Sequence, residues 1–578
     1  MAKRWRVHPH DPDRIASLQR ATDVPAVVAQ LLICRNMVDP EAIRAFLDPK
    51  LSSLRDPQLL PGCAEATDIV HQALGDNQRI VIFGDYDVDG MTGTAILWLC
   101  LKLLGANVGY YVPSRIDEGY GLSGEAMRSL AEQKTQLIVT VDCGVGSSEE
   151  VALAYELGMK VVITDHHRPG LKLPEAAAIV HPALPAGNYP FAGLSGSAVA
   201  LKLAWALCQK ACGEKRVPKR MKDFLMQAVG LAAMGTIADV VPLIDENRVL
   251  VKHGLTSVAQ YPTLGLSKLM EIARLEGKKT LASEDIGFAL APRLNAAGRL
   301  GQPQLAVELL TTDQPERAQE LAEYIDQLNA TRKTLERSML LAANKQIKEH
   351  FNPQEDAAMV LADRGWHPGV IGIVAGRLAE KHHRPVVIIS WDQLGIKAGV
   401  GSARSIAGFD LHAALEACDD YLLGHGGHAA AAGLSIEEGR LDGFRTAFCE
   451  LAAEQINEAQ RTAELAIDAE VPLSALTLQA VRQIEQLAPF GKDNPRPLLC
   501  TSGVDLADPP KPIGGGHHLS LQLSQHGVKF RAVAFGAGHW ADELSELNGP
   551  IDIAFRPVIN SFHGRHNVEL HLVDYKAG

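Results

Sequence analysis

Between Ile80 and Thr164 short apolar runs alternate with stretches of helical length. The runs are Ile80–Phe83, Gly109–Pro113, Leu137–Val141 and Lys160–Thr164. Between them lie an apolar helix predicted over Thr94–Leu104, one near Gly124–Gln133, and one over Ser148–Leu157 that ends at Gly158. Strands alternating with helices predict parallel βαβ units. Further on, Leu321, Ile325, Leu328, Leu335 and Met339 recur at helical spacing with charges between them. That pattern predicts one long helix from Glu316 to about His350, able to bridge two domains and too short in heptads for a coiled coil. A second α/β region follows, with a helix opened by Trp366-His367-Pro368-Gly369 and a strand over Pro385–Ser390. In it Gly401–Ser405 reads as a turn, and Gly424–Gly433 as a glycine-rich loop entering a small-residue helix. From about residue 465 the period drops to two: Leu519, Leu521, Leu523; Phe530, Ala532, Ala534; Ile551, Ile553, Phe555; Val568, Leu570, Leu572. Such alternation predicts a small β-barrel. The chain thus divides into a helical segment over 1–55, a parallel-sheet α/β domain over 56–260, a helical connector over 261–350, a second α/β domain over 351–457 and a barrel over 465–578. The first segment, with amphipathic stretches Pro25–Arg35 and Pro40–Leu47, carries no evident chemistry.

Composition changes this picture little. A length of 578 residues fits several domains, and a formal net charge of −12 means that any nucleic-acid site must be a local basic groove. The nine cysteines form no C-x-x-C and read as reduced thiols of a cytoplasmic protein without a zinc site. The N-terminus lacks the apolar run of a signal peptide. The most membrane-like stretch, Met226–Ile244, is interrupted by Asp239 and Pro242 and reads as a buried helix and turn.

Chemistry concentrates where the apolar runs end. Asp85, Asp87 and Asp89 follow Ile80–Gly84, Asp142 follows Leu137–Val141, and Asp165-His166-His167 follows Lys160–Thr164. Parallel strands deliver these groups to one sheet edge, where open α/β sheets bind ligands. Three carboxylates in five residues repel one another unless screened, and a hard divalent cation is the usual partner of such oxygens. An EF-hand does not fit, because Ile96 stands where its closing glutamate belongs. Asp239, isolated in an apolar run, needs a cation or hydrogen-bond donors, or caps a helix end. In residues 285–301, Arg293 and Arg299 flank Asn295 in a Gly/Ala-rich turn, a candidate phosphate clamp. The Gly424–Gly433 block lacks dinucleotide-site spacing and suits close backbone approach to phosphate.

In combination, Asp-Tyr-Asp-Val-Asp-Gly, Val-Asp-Cys-Gly, Asp-His-His and Gly-Thr-Ile-Ala-Asp-Val-Val-Pro-Leu resemble the DHH phosphoesterase superfamily, and the chain resembles its RecJ branch over nearly its whole length. The resemblance implies a metal-dependent exonuclease that degrades single-stranded DNA 5′ to 3′ to mononucleotides in DNA repair and recombination. It makes the second α/β domain a DHHA1 domain and the barrel an OB-fold. It implies Asp87, Asp89, Asp142, His166 and Asp239 as ligands of two Mn²⁺ or Mg²⁺ ions, with Asp85 as a further ligand or base. Asp165 would orient an imidazole, and His167 would donate to the scissile phosphate. Some DHH relatives carry a histidine where this chain has Phe83, which removes one imidazole from the second metal. Pro489–Pro495 is similar to the family's Gly-x-Gly-Asn-Pro turn, with Asp493 replacing the second glycine. A 5′-phosphate receptor is expected from Ser402, Arg404 and His428, with Arg115 and Arg299 reaching in from the first domain. Expected partners are single-stranded DNA, a single-strand-binding protein and a helicase, with the chain as a monomer. The alternatives are a DHH hydrolase of short oligonucleotides or cyclic dinucleotides, and a non-catalytic replication scaffold.

Overall fold

Five short strands, buried almost throughout, form the sheet that the acidic clusters require. The computed structural model describes residues 3–577 except 171, 186, 215, 353, 354, 548, 563 and 564. It divides into two compact units. One comprises Arg55–Val241 and His253–Ala463, the other Lys3–Leu54, Pro242–Lys252 and Glu464–Gly578.

In the first unit the sheet runs Val108–Tyr111, Ile80–Gly84, Leu137–Val141, Lys160–Thr164, Ala178–Val180, all parallel. Chain order reverses between Ile80–Gly84 and Leu137–Val141, and a ligand crevice opens at such a switch point. Helices Val88–Leu103 and Gly196–Cys212 cover one face, packed with Lys219–Ala238. Val81, Phe83 and Ile138 face the other layer, with Met127 and Leu130 of helix Gly124–Glu132 and Val151 of helix Ser148–Glu156. Phe83 is therefore a core residue, stacked on Tyr111 at 5.2 Å between ring centroids. The helix expected from Thr94 begins earlier, at Val88, because the Asp87 carboxylate accepts from the amides of Asp89 and Gly90 and caps it. The Met226–Ile244 stretch is the expected buried helix end and turn: Lys219–Ala238 stops at Asp239, and Val240 takes φ 58°.

The 36-residue helix Pro315–His350 spans about 54 Å. Leu321, Ala322 and Ile325 of its first half are buried, and the half packs on helices Leu264–Ile272 and Ala291–Arg299. Its second half buries Met339, Ala343 and Ile347 in the core of the second α/β layer, beside Val374 and Leu378. The 285–301 block is helical rather than a turn, running through Ser283–Asp285, Ile286–Leu290 and Ala291–Arg299.

The second sheet runs Leu422–His428, Ala431–Ile436, Gly399–Arg404, Val386–Ser390, Met359–Asp363. Two sequence expectations fail here. Gly401–Arg404 is strand, not turn, and Gly424–Gly433 is a hairpin, not a loop leading into a helix. Small residues that read as helix interior are here a strand paired on both sides, so partners decided what propensity left open.

The second unit holds a seven-stranded barrel in which Leu499–Leu506 pairs with both Ile551–Phe562 and His518–Gln525. Leu519, Leu521, Leu523, Ile553, Phe555 and Leu570 point inward as the alternation predicts. Helices Pro12–Thr22, Ala26–Cys34 and Pro40–Leu47 contribute to the same core through Leu18, Leu31, Leu32 and Ile43. Arg248 is fully buried and donates to the carbonyls of Phe46 (2.7 Å), Leu487 (2.9 Å) and Ala488 (3.1 Å). In the Pro489–Pro495 turn, Asp493 adopts φ 59°, the left-handed region that favours glycine, and the buried Asn494 amide donates to Leu487 and Pro489.

Candidate active site

Strand ends and helix starts converge on one cluster. Asp85 leaves the end of Ile80–Gly84, and Asp142 leaves Leu137–Val141 with φ 64°. The two helices that cover the sheet meet Asp89 from both sides. It lies in the first turn of one, while the other's first amides, Gly196 N (2.6 Å) and Ser197 N (3.0 Å), donate to it together with the Ser197 hydroxyl. Gly196 is required here, since a Cβ would lie 2.5 Å from Asp142 Oδ1. Asp239 closes the ring from the end of Lys219–Ala238, its Oδ2 3.6 Å from His166 Nε2.

Ligand-competent atoms lie within 4.8 Å of one another in three overlapping sets: Asp85, Asp87 and Asp142; Asp89, His166 and Asp239; Asp142, His166 and His167. Burial first, then the neighbouring carboxylates, holds Asp85 and Asp142 well above the usual aspartate range, and raises Asp87 as well. Asp85 Oδ1, Asp142 Oδ1 and His166 Nε2 are buried without a hydrogen bond, although the last two stand 3.0 Å apart. Such groups are costly unless something satisfies them. Hard carboxylate oxygens with imidazole nitrogen fit Mn²⁺ or Mg²⁺.

Asp165 serves the histidine loop. Its Oδ1 accepts from the His166 and His167 amides and lies 2.8 Å from His167 Nδ1, and its Oδ2 accepts from Val145 N. Burial pulls the His167 imidazole down, but the Asp165 bond and charge outweigh it and lift it to about 9. Burial pushes Asp165 up, and the His167 bond outweighs that, bringing it to about 2.

Three supports had no sequence signal. His181, fully buried, donates Nε2–H to the His167 carbonyl (2.8 Å) while Nδ1 accepts from Ala183 N. The Tyr120 hydroxyl reaches the Asp142 carbonyl (3.1 Å) and the His167 ring (3.2 Å). Ser197, at the start of helix Gly196–Cys212, lies far from Asp89 in sequence.

Tyr86 and Tyr120 also wall a cavity of about 850 Å³ within the first unit. Val400, Gly401, Ser402 and Arg404 line it from strand Gly399–Arg404, and Arg115 lines it from the first sheet's side, over the Tyr86 ring. Arg404 Nη1 donates to Ser402 Oγ (3.0 Å) and the Ala403 carbonyl (2.8 Å). Arg299 donates to Gly369 O at the cavity's edge (3.2 Å). Burial lowers Arg299 to about 10, and repulsion from Arg115 and Arg404 adds to it. Burial and then Arg115 lower Arg404 too. An anion placed among these arginines would relieve their mutual repulsion.

The remaining expected residues are placed elsewhere. Arg293 pairs with Asp326 (2.8 Å), and Asn295 accepts from Val88 N (3.1 Å), so Asn295 holds the acidic loop's helix and Arg293 braces the long helix. Helical spacing turns them away from the cavity that a turn would have let them share. His428 is exposed at the end of an edge strand and does not line the cavity.

Comparison with known proteins agrees with this fold. Residues 79–235 match the N-terminal domain of the DHH family, 355–454 the DHHA1 domain and 467–574 the RecJ OB domain. The single-stranded-DNA-specific exonuclease RecJ of Bacillus subtilis is 37% identical, covering 99% of this chain and 70% of that protein. Its Escherichia coli counterpart is 34% identical over 96% of this chain and 97% of its own. A crystal structure of RecJ from Thermus thermophilus in complex with Mn²⁺ superimposes with a TM-score of 0.83 at 33% identity, covering 99% of this chain and 79% of that one. The Mg²⁺ complex gives 0.77 at 32%, covering 99% and 78%.

Proposed function

Because the chain belongs to the RecJ family of single-stranded-DNA-specific exonucleases, we propose that it is a metal-dependent exonuclease that degrades single-stranded DNA 5′ to 3′ to mononucleotides, in DNA repair and recombination. The buried carboxylate–imidazole cluster, with its unsatisfied Asp85, Asp142 and His166 atoms, carries this reading. Asp87, Asp89, Asp142, His166 and Asp239 would hold two Mn²⁺ or Mg²⁺ ions, with Asp85 beside them. When bound, such ions polarise a phosphate and make water a nucleophile at neutral pH.

The chain's own side chains position the substrate. Arg115, Arg404 and Ser402 seat the 5′-phosphate, with Arg299 behind them. His167, kept protonated by Asp165, donates to the scissile phosphate between the first two nucleotides. Tyr120 separates the two sites and holds the His167 ring. The barrel binds the trailing strand, a common role of the fold. A single-strand-binding protein and a helicase are the companions this role implies. The cluster is complete within one chain, which favours a monomer. In Mn²⁺, a single strand labelled at both ends should lose its 5′ label first, as a mononucleotide, and blunt duplex should resist. Release of the 3′ label first overturns the polarity.

A further inference from the structure

The cavity is larger and more cationic than a single 5′-phosphate requires. At about 850 Å³ it matches the roughly 300–1,000 Å³ that takes a whole small molecule, and one phosphate fills a small part of that. Two arginine forks, Arg115 and Arg404, suffice for a phosphate dianion. Two further cations, Lys397 and Arg364, line the same cavity.

Arg364 is occupied. Its Nη1 donates to the Asp392 carbonyl (3.0 Å) and its Nη2 pairs with Glu438. Asp392, the one carboxylate among the described lining residues, accepts from the amides of Ile396 (2.9 Å) and Lys397 (3.3 Å). These bonds fix the loop that presents Lys397. No salt bridge of the Lys397 ammonium occurs among the described residues. Gly401, Gly426, Gly427 and Gly433 also line the void, so a polyanion can lie close to the backbone.

We infer that this cavity accepts strands whose 5′ end carries a di- or triphosphate, the phosphate next to the sugar on Arg115 and Arg404 and the outer ones towards Lys397. This rests on reading the cavity as the seat of the 5′ end. Hydrolysis leaves the anhydride bonds untouched. Water oxygen adds to the phosphorus joining the first two nucleotides, the bond to the first 3′-oxygen breaks, and that oxygen takes the proton. The first product is then a nucleoside 5′-triphosphate, and the remaining strand carries a 5′-monophosphate.

The test uses the full chain in Mn²⁺ with one oligodeoxynucleotide bearing a 5′-monophosphate or a 5′-triphosphate, with first products separated by ion exchange. The triphosphorylated strand should be degraded within about threefold of the monophosphorylated one, releasing nucleoside triphosphate first. Lys397→Gln should lower kcat/KM on the triphosphate about tenfold, the worth of one charge-assisted hydrogen bond, and change the monophosphate rate less than about twofold. A triphosphate that blocks a protein active on the monophosphate overturns the inference alone. So does pyrophosphate as first product, or a variant that treats both ends as the native protein does. Inactivity on both strands overturns the inference together with the functional reading beneath it.

Discussion

Arg404→Ala separates substrate binding from stability. In the free protein the Arg404 guanidinium spends one nitrogen on Ser402 and the Ala403 carbonyl. It also repels Arg115 and Arg299. A hydrogen bond to a charged partner contributes about 1.5–3 kcal/mol, and 1.4 kcal/mol is a factor of ten. Loss of the arginine should therefore lower kcat/KM on 5′-phosphorylated single strands roughly 10- to 100-fold. Strands with a 5′-hydroxyl make no such bond and should change less than about threefold. Stability should change by less than about 1 kcal/mol, because relief of the repulsion among Arg115, Arg299 and Arg404 offsets the two lost hydrogen bonds, each worth about 0.5–1.5 kcal/mol. The assay is initial rate on both strands with both proteins, alongside urea unfolding. Equal loss on both strands, or unfolding at clearly lower urea, would refute the assignment of Arg404 to the chain end.

In chelator, thermal stability should fall between about pH 7 and pH 9. His167 sets this window: its folded pKa of about 9 lies above its unfolded value, so it contributes stability present below the unfolded value and lost as pH rises through the folded one, and the raised Asp85 and Asp142 act in the same direction. Mn²⁺ at about 100 times its dissociation constant should add about 2.7 kcal/mol, whereas Asp142→Asn should gain nothing from it; a flat metal-free pH profile would contradict this. Arg248→Met should cost the second unit about 2–4 kcal/mol by leaving the carbonyls of Phe46, Leu487 and Ala488 unsatisfied, measured by urea unfolding followed by far-UV circular dichroism; native-like stability would remove Arg248 as a support. Lys529 and Arg531 line a groove on the barrel with Gln522 and Asn560. Replacing both cations by alanine should weaken binding of long single strands and reduce the salt slope by about 1.4, at roughly 0.7 per phosphate contact; an unchanged slope would take DNA off that face.

The convergence of carboxylates and imidazoles on one sheet edge was legible because each part is local: an apolar run, then a carboxylate or imidazole at its end. Parallel pairing then sends Asp85, Asp142 and Asp165 to one edge without further information. What failed was local sequence with two readings. Asp87 is both a candidate ligand and a helix cap, so the helix began six residues before its apolar stretch. Arg293 and Asn295 read as a clamp only while their backbone was taken for a turn; as a helix it sends them to Asp326 and Val88. The glycines around His425 and His428 suit a loop or a strand equally, and pairing with Ala431–Ile436 decided it. Ser197, Tyr120 and His181 support the site across long sequence separations, which periodicity does not report.

If the sheet-edge cluster is both the metal site and the hydrolytic site, activity follows metal binding. The direct measurement titrates Mn²⁺ into metal-stripped protein and follows heat of binding and single-strand hydrolysis in parallel, for the native chain and for Asp142→Ala. Activity should rise along the native binding isotherm, and the folded variant should show neither binding nor activity. Full activity of Asp142→Ala in Mn²⁺ would contradict it.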